Sequence, residues 1–154
     1  MDNIKAIFMD LDGTVLTSGH KVSKNLIKKL RELEGKGVKT FVATGRTFSS
    51  SKPFVEMLGI KNPVINYNGG RVVNPLNSEV IFEKPVEAQD VEELIKVSRE
   101  KGIHLNLYMD DKLYIEHETE EGEKYSESVE IPYYVRNFDE FIGKSSTKAL
   151  FIAE

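Results

Sequence analysis

The first half of the chain alternates three short apolar runs with two amphipathic segments, and this pattern constrains the fold more than any other feature. The apolar runs are residues 4–9, 38–43 and 63–66, each short enough for a buried strand. The segments between them, residues 23–35 and 47–58, carry apolar residues on one helical face and end at glycines. The order strand, helix, strand, helix, strand is typical of right-handed crossovers, so the pattern predicts an α/β fold with a parallel sheet.

The character of the chain changes near residue 80. Residues 1–80 hold 12 basic and 7 acidic residues (+5), whereas residues 81–154 hold 9 basic and 18 acidic residues (−9). The second part contains an acidic amphipathic segment that ends at 101–102, an alternating hairpin pattern around 110–112, and a last apolar run at 148–153. The sequence therefore predicts two domains, residues 1–80 and an α+β unit of residues 81–154.

Composition excludes several classes of protein. The chain has no cysteine, so it has no disulfide framework, no thiolate metal site and no cysteine nucleophile. A hydrophobic fraction of 40% and a charged fraction of 30% are typical of a soluble globular chain, and a net charge of −4 does not indicate a nucleic-acid partner. No window approaches the roughly 18 apolar residues that cross a membrane, so a cytoplasmic protein without a membrane partner is expected.

Polar residues follow the first two predicted strands at the point where each strand ends. Asp10 and Asp12 are two residues apart, which in extended chain directs both carboxylates to the same side. One carboxylate can attack phosphorus while the other protonates a leaving oxygen. Thr44 and Gly45 offer a hydroxyl and main-chain N–H groups at a helix N-terminus, where phosphate binds readily, and Arg46 could add a cation. Each motif alone is more often an ordinary turn, and it is their combination that predicts an active site.

The combination resembles the haloacid-dehalogenase-like (HAD) phosphatases. Residues 8–16, Phe-Met-Asp-Leu-Asp-Gly-Thr-Val-Leu, and residues 42–48, Val-Ala-Thr-Gly-Arg-Thr-Phe, are similar to the first two signature motifs of that superfamily. Residues 65–70 resemble the Asn-Gly-Ala turn of its Cof-type branch, and residues 146–152 resemble the Pro-x-Lys strand of the Cof-type cap. The resemblance implies a Rossmann-like parallel sheet, as in the N-terminal part of a HAD core, followed by a second α+β cap domain.

The resemblance also implies roles for the two aspartates. Asp10 would be the nucleophile that becomes a phosphoaspartate, and it would also bind Mg²⁺. Asp12 would be the general acid and then the base that activates water, with its main-chain carbonyl on the metal. The implied function is a Mg²⁺-dependent phosphohydrolase of small phosphorylated metabolites, such as sugar phosphates. Dehalogenase chemistry is disfavoured because Asp12 is present, whereas mutase or phosphonate chemistry stays open.

Four further residues are implied to bind substrate. Thr44 and the Gly45 amide would hold the transferring phosphoryl group. Arg46 would either bind phosphate or brace its loop. Asn68 would either face the site or serve as a turn residue that tolerates positive φ.

Two elements of the family pattern do not occur in this sequence. Family members also use a lysine and a Gly-Asp-x-x-x-Asp type loop, both of which follow the cap, and this sequence contains no Gly-Asp dipeptide. We therefore expect a fragment of a longer protein, truncated within the cap, or a chain that self-associates through the unpaired edge of its first strand.

Two other functions remain open on the sequence. The first is a catalytically incomplete fragment that retains only a phosphate- and metal-binding half-site at Asp10, Asp12 and Thr44. The second is a receiver-type phosphoacceptor, which is weaker because Asn66 and Asn68 stand where an aspartate is wanted.

Overall fold

Two units make up the chain, and the division lies between Glu83 and Lys84. The structure is a computed structural model that describes residues 4–17, 19 and 21–153. The division falls slightly later than the change of charge near residue 80, because residues up to Glu83 complete a sheet of the first unit. Among the described residues, no helix is both long and apolar enough to cross a bilayer.

The first unit alternates strands and helices as its apolar pattern predicts. Its elements are β1 (Ala6–Met9), α1 (Lys24–Gly35), β2 (Lys39–Val42), α2 (Phe48–Leu58), β3 (Val64–Asn66), β4 (Arg71–Val73) and β5 (Val80–Glu83). Strands β1 and β2 pair in parallel, and a parallel bridge between Ala43 and Ile65 continues the pairing to β3. The α/β fold with a parallel sheet is therefore confirmed.

Both helices of this unit begin at side-chain caps. The Ser23 hydroxyl accepts a hydrogen bond from the Asn25 N–H (3.3 Å), and the Thr47 hydroxyl accepts one from the Ser50 N–H (3.1 Å). Helix α2 ends at Gly59, whose φ of +73° is the left-handed conformation that glycine adopts at least cost.

The helices cover one face of the sheet and bury its apolar side chains. Residues of this core that are at most 2% exposed are Leu11, Val42, Val55, Leu58, Val64 and Val73. On the opposite face Phe8 is 58% exposed and stacks on Phe41, with ring centroids 4.6 Å apart. Over the described residues, β1 has a strand neighbour on one side only, so its other edge is open.

Strand β4 is missing from the sequence-based interpretation. It follows the turn of residues 67–69, pairs antiparallel with β3, and then pairs with β5. Its three residues begin with Arg71 directly after the turn, so they do not form a separate apolar run, and its pairing with β3 and β5 reveals the strand.

The second unit is an α+β unit, as expected. Its elements are α3 (Ala88–Lys101), β6 (His104–Met109), β7 (Lys112–Ile115), α4 (Glu120–Val129), β8 (Tyr133–Val135) and β9 (Lys148–Ile152). Its sheet has the order β8-β7-β6-β9. The predicted hairpin joins β6 to β7, with Asp110 and Asp111 at φ values of +50° and +63°. The short strand β8 was not predicted.

Candidate active site

The first loop of the site follows β1, which ends at Met9 and thus before both aspartates. Asp10 accepts a hydrogen bond on Oδ1 from the Leu11 N–H (2.8 Å), and Leu11–Val15 form one wide turn. Gly13 adopts a φ of +71° in that turn. The turn leaves both Asp10 and Asp12 exposed, so two carboxylates stand at the carboxyl end of the strand.

The second loop follows β2 and is fixed by main-chain bonds. The Thr44 N–H donates to the Ile65 carbonyl (2.9 Å), and the Thr44 hydroxyl accepts from the Arg46 N–H (3.2 Å). Thr44 is only 4% exposed. Because its oxygen already accepts one bond from the loop, the hydroxyl hydrogen can be donated to an anion in the cleft.

The third loop follows β3 and lies against the second. The Asn68 N–H donates to the Thr44 carbonyl and the Tyr67 N–H to the Arg46 carbonyl, both at 3.1 Å. Asn68 has a φ of +55°, and a Cβ built on Gly45 would lie 2.9 Å from its Oδ1. Asn68 therefore packs directly on the glycine of the second loop.

The three loops together enclose an open cleft of about 500 Å³ at the carboxyl ends of the strands. Its lining residues are Asp10, Asp12, Ala43, Thr44, Gly45, Ile65, Asn68 and Gly69. Five of the six residues that the sequence singles out line this one cleft.

The sixth, Arg46, binds Asp12. Its Nε donates to Asp12 Oδ2 (2.8 Å) and its Nη2 donates to Asp12 Oδ1 (2.7 Å), which is a two-pronged ion pair. The guanidinium also lies over the Phe54 ring, 5.2 Å from the centroid. The sequence left two roles open for Arg46, which were phosphate binding and bracing of its loop. This geometry favours bracing.

Asn66 is a residue of this region that sequence reasoning did not select. It is fully buried, and its Nδ2 donates to the Arg46 carbonyl (3.2 Å), the Thr47 carbonyl (3.3 Å) and the Ser51 hydroxyl (2.9 Å). The amide thus ties β3 to the second loop and the start of α2. The only sequence signal is a polar residue that ends an apolar strand, and buried polar groups of this kind are normally hydrogen-bonded.

Some of the oxygen atoms that line the cleft are suitable ligands for a hard divalent cation. Within residues 4–17, 19 and 21–153, no group of three or more His, Asp or Glu side chains could hold a metal ion. Mg²⁺ is commonly held by one or two carboxylates together with water and substrate phosphate. Asp10 and the main-chain carbonyl of Asp12 match that donor chemistry, and the Asp12 carboxylate held by Arg46 is not needed for it.

Known proteins resemble the chain over nearly its whole length. Residues 7–154 match the model of the haloacid dehalogenase-like hydrolases. A Streptococcus pyogenes protein with a provisional phosphatase name is 27% identical over 157 residues, covering 99% of this chain and 58% of that protein. Pyridoxal phosphate phosphatase of Escherichia coli is 30% identical over 115 residues, covering 75% of this chain and 42% of the enzyme.

Solved structures show the same fold. A haloacid dehalogenase-like hydrolase from Bacteroides thetaiotaomicron superposes with a TM-score of 0.84 at 22% identity, covering 99% of this chain and 59% of that chain. A HAD phosphatase from the same bacterium superposes with a TM-score of 0.76 at 29% identity, covering 89% and 51%. The matched part of the chain thus spans between 42% and 59% of the length of each of these relatives. Because the family model matches from β1 to β9, the chain belongs to the haloacid dehalogenase-like hydrolase family.

Proposed function

We propose that this chain carries the nucleophile, the acid–base group and the phosphate-binding loop of a phosphatase that acts on small phosphorylated metabolites. The observation that supports the proposal is the cleft itself, in which Asp10 and Asp12 meet Thr44, Gly45 and Asn68. Carboxylates beside hydroxyl and N–H donors are what phosphoryl transfer through a covalent intermediate requires.

In the first step a carboxylate oxygen of Asp10 attacks phosphorus. The bond between phosphorus and the leaving oxygen breaks, and protonated Asp12 gives its proton to that oxygen. Thr44 and the Gly45 N–H hold the phosphoryl oxygens, whose charge must be stabilised in the transition state. The products of this step are an alcohol and a phosphoaspartate on Asp10.

In the second step Asp12, now ionised, takes a proton from a water molecule. The water oxygen bonds to phosphorus, the bond to Asp10 breaks, and inorganic phosphate leaves. Asp12 is protonated again and ready for the next substrate. Mg²⁺, which this family generally uses, would be held by Asp10 and the Asp12 carbonyl, and it would offset the charge of the phosphoryl group and nucleophile.

The proposed substrate class follows from the relatives and from the size of the site. One relative is named a pyridoxal phosphate phosphatase, and one solved neighbour is named a sugar phosphatase. An open cleft of about 500 Å³ accepts phosphate monoesters of that size. Sugar phosphates and similar metabolites are therefore the compounds to assay first.

The test is phosphate release from p-nitrophenyl phosphate, with Mg²⁺, by the full-length gene product. We expect Asp10→Asn to lose at least about 10³-fold in kcat, because no other group replaces the nucleophile. Glu56→Gln, an exposed carboxylate on α2, is the matched control and should retain full activity. Substantial activity of Asp10→Asn would refute the role of Asp10.

A second candidate function is a half-site that binds phosphate and metal without turnover. It is favoured by the missing third acidic ligand among the described residues and by the coverage of 58% of a relative. Assaying the 154-residue chain by itself separates the two functions. Turnover of p-nitrophenyl phosphate by this chain would contradict the half-site.

A further inference from the structure

The ion pair between Arg46 and Asp12 has a catalytic consequence. We infer that Arg46 is a positioning residue that holds the Asp12 carboxylate where it takes a proton from the water attacking the phosphoaspartate. The inference rests on the proposed function, which assigns the acid–base role to Asp12. On this inference Arg46 acts in the second step of the reaction and does not bind phosphate.

The geometry of the pair fixes both the position and the rotation of the carboxylate. Two parallel bonds of 2.8 and 2.7 Å join the guanidinium fork to both carboxylate oxygens. A single bond to a lysine would leave the carboxylate free to rotate, whereas the planar fork does not. A carboxylate has about four acceptor positions, so two bonds from Arg46 do not by themselves prevent it from accepting a proton.

The pair is anchored on the arginine side. The Arg46 side chain is 9% exposed and the Asp12 side chain is 51% exposed. The guanidinium lies over the Phe54 ring of α2, while the Arg46 carbonyl accepts bonds from the Asn66 amide and the Tyr67 N–H. Arg46 is therefore held by α2, by β3 and by the loop that follows β3.

Asp12 lies in an exposed turn, where its position depends on contacts with other parts of the chain. It is exposed, it sits in a turn rather than in a strand, and the next residue is Gly13 at a φ of +71°. Ordering such a side chain costs conformational entropy, and misplacing a reacting group by about 1 Å can cost 10²-fold in rate. The contact with Arg46, 34 residues away in sequence, contributes to this order.

The ionised form of Asp12 is the form that acts in the second step. Before that step Asp12 has given its proton to the leaving group and is a carboxylate, and the two bonds from Arg46 fix its orientation toward the attacking water. Loss of Arg46 should therefore slow hydrolysis of the phosphoaspartate more than its formation. With p-nitrophenyl phosphate, whose leaving group needs little help from an acid, the first step should be nearly unaffected.

The experiment is stopped-flow release of p-nitrophenol by the full-length gene product. We expect Arg46→Ala and Arg46→Lys to show a burst of close to one equivalent of p-nitrophenol, followed by turnover about 10²-fold slower than that of the unchanged protein. KM should fall together with kcat, because the phosphoenzyme accumulates. Methylguanidinium should partly restore turnover in Arg46→Ala.

The matched control is Arg71→Lys. Arg71 forms a comparable ion pair with Glu83 at 3.0 Å, but it does not line the cleft. This variant should show no new burst. Arg46→Lys keeps the positive charge and the packing stem, so it gives a folded variant even if Arg46→Ala does not fold.

Two outcomes would overturn the inference. A raised KM without a burst would assign Arg46 to phosphate binding, and unchanged kinetics in both Arg46 variants would leave it no part in the reaction. Failure of the proposed function is a separate result, since it would appear as absent turnover in the unchanged protein or as full activity in Asp10→Asn.

Discussion

At the residue scale, Gly45 shows how a single missing side chain shapes the cleft. A Cβ at this position would come within 2.9 Å of Asn68 Oδ1, which is closer than real Cβ contacts. The atom in the way is the end of a side chain rather than main chain, so Asn68 can turn aside. The glycine therefore matters more for the shape of the cleft than for folding.

The first prediction concerns Gly45→Ala. We expect about a tenfold loss in kcat/KM, comparable to one hydrogen bond to a charged group, because Asn68 is displaced from the cleft wall. The melting temperature should change little. The phosphatase assay and a thermal melt check both statements. Gly35→Ala is the control, since a Cβ there meets nothing within 4 Å, and an unchanged kcat/KM for Gly45→Ala would contradict the prediction.

At the scale of elements, one cluster of charges joins three parts of the second unit. Arg99 of α3 donates to Glu116, which follows β7, and to Asp139 of the short helix Phe138–Phe141. Glu116 also accepts from the Phe138 N–H at 3.1 Å. The hydrogen bonds from Arg99, then the bond from Phe138, hold the pKa of Glu116 below its ordinary value.

The second prediction is a pH dependence that follows from this lowered pKa. A carboxyl whose pKa is lower in the folded state stabilises that state above its unfolded pKa of about 4.3, and the contribution is lost as pH falls through the folded value. Because the cluster is partly exposed, we expect a contribution of about 1 kcal/mol or less.

Urea midpoints at pH 7 and at pH 3.5 measure this contribution. Glu116→Gln should lower the midpoint at pH 7 and reduce the loss of stability between the two pH values. Glu127→Gln, an exposed glutamate on α4, is the matched control and should change neither. Equal acid sensitivity of Glu116→Gln and the unchanged chain would disprove the assignment.

At the scale of the whole molecule, the first sheet ends in an open edge that is also apolar. Among the described residues, β1 has only β2 as a neighbour, and Phe8 is 58% exposed beside Phe41. Unpaired strand edges with exposed apolar side chains readily pair with another strand. A second copy of the chain would cover this edge.

The third prediction is that the 154-residue chain by itself associates in a concentration-dependent way. Phe8→Glu should weaken the association at least tenfold, because it places a charge on the contact surface. Met57→Glu is the matched control, since Met57 is 51% exposed but lies on α2. Sedimentation velocity measures both variants. A chain that stays monomeric at high concentration would rule out pairing with a second copy.

The sequence by itself determined the alternation of strands and helices in the first part of the chain and predicted the edge of the sheet at which polar loops meet. Hydrophobic periodicity reports whether a residue faces a core, so it predicts β1, α1, β2, α2 and β3 from local pattern alone. The rule that parallel strands end at one edge then brings Asp10 and Thr44 to the same side of the sheet. Strands β4 and β8 were not predicted, and their pairing with neighbouring strands defines them.

Tertiary structure decided which polar groups meet. Nothing in the local sequence shows that Arg46 binds Asp12 rather than a phosphate, since the two residues are 34 positions apart. The burial of Asn66 and the contact of Asn68 with Gly45 likewise depend on distances across three loops. Hydrophobic periodicity shows only whether a residue faces the core. Which polar side chains contact each other depends on distances in the folded chain, and the packing of the sheet and helices sets those distances.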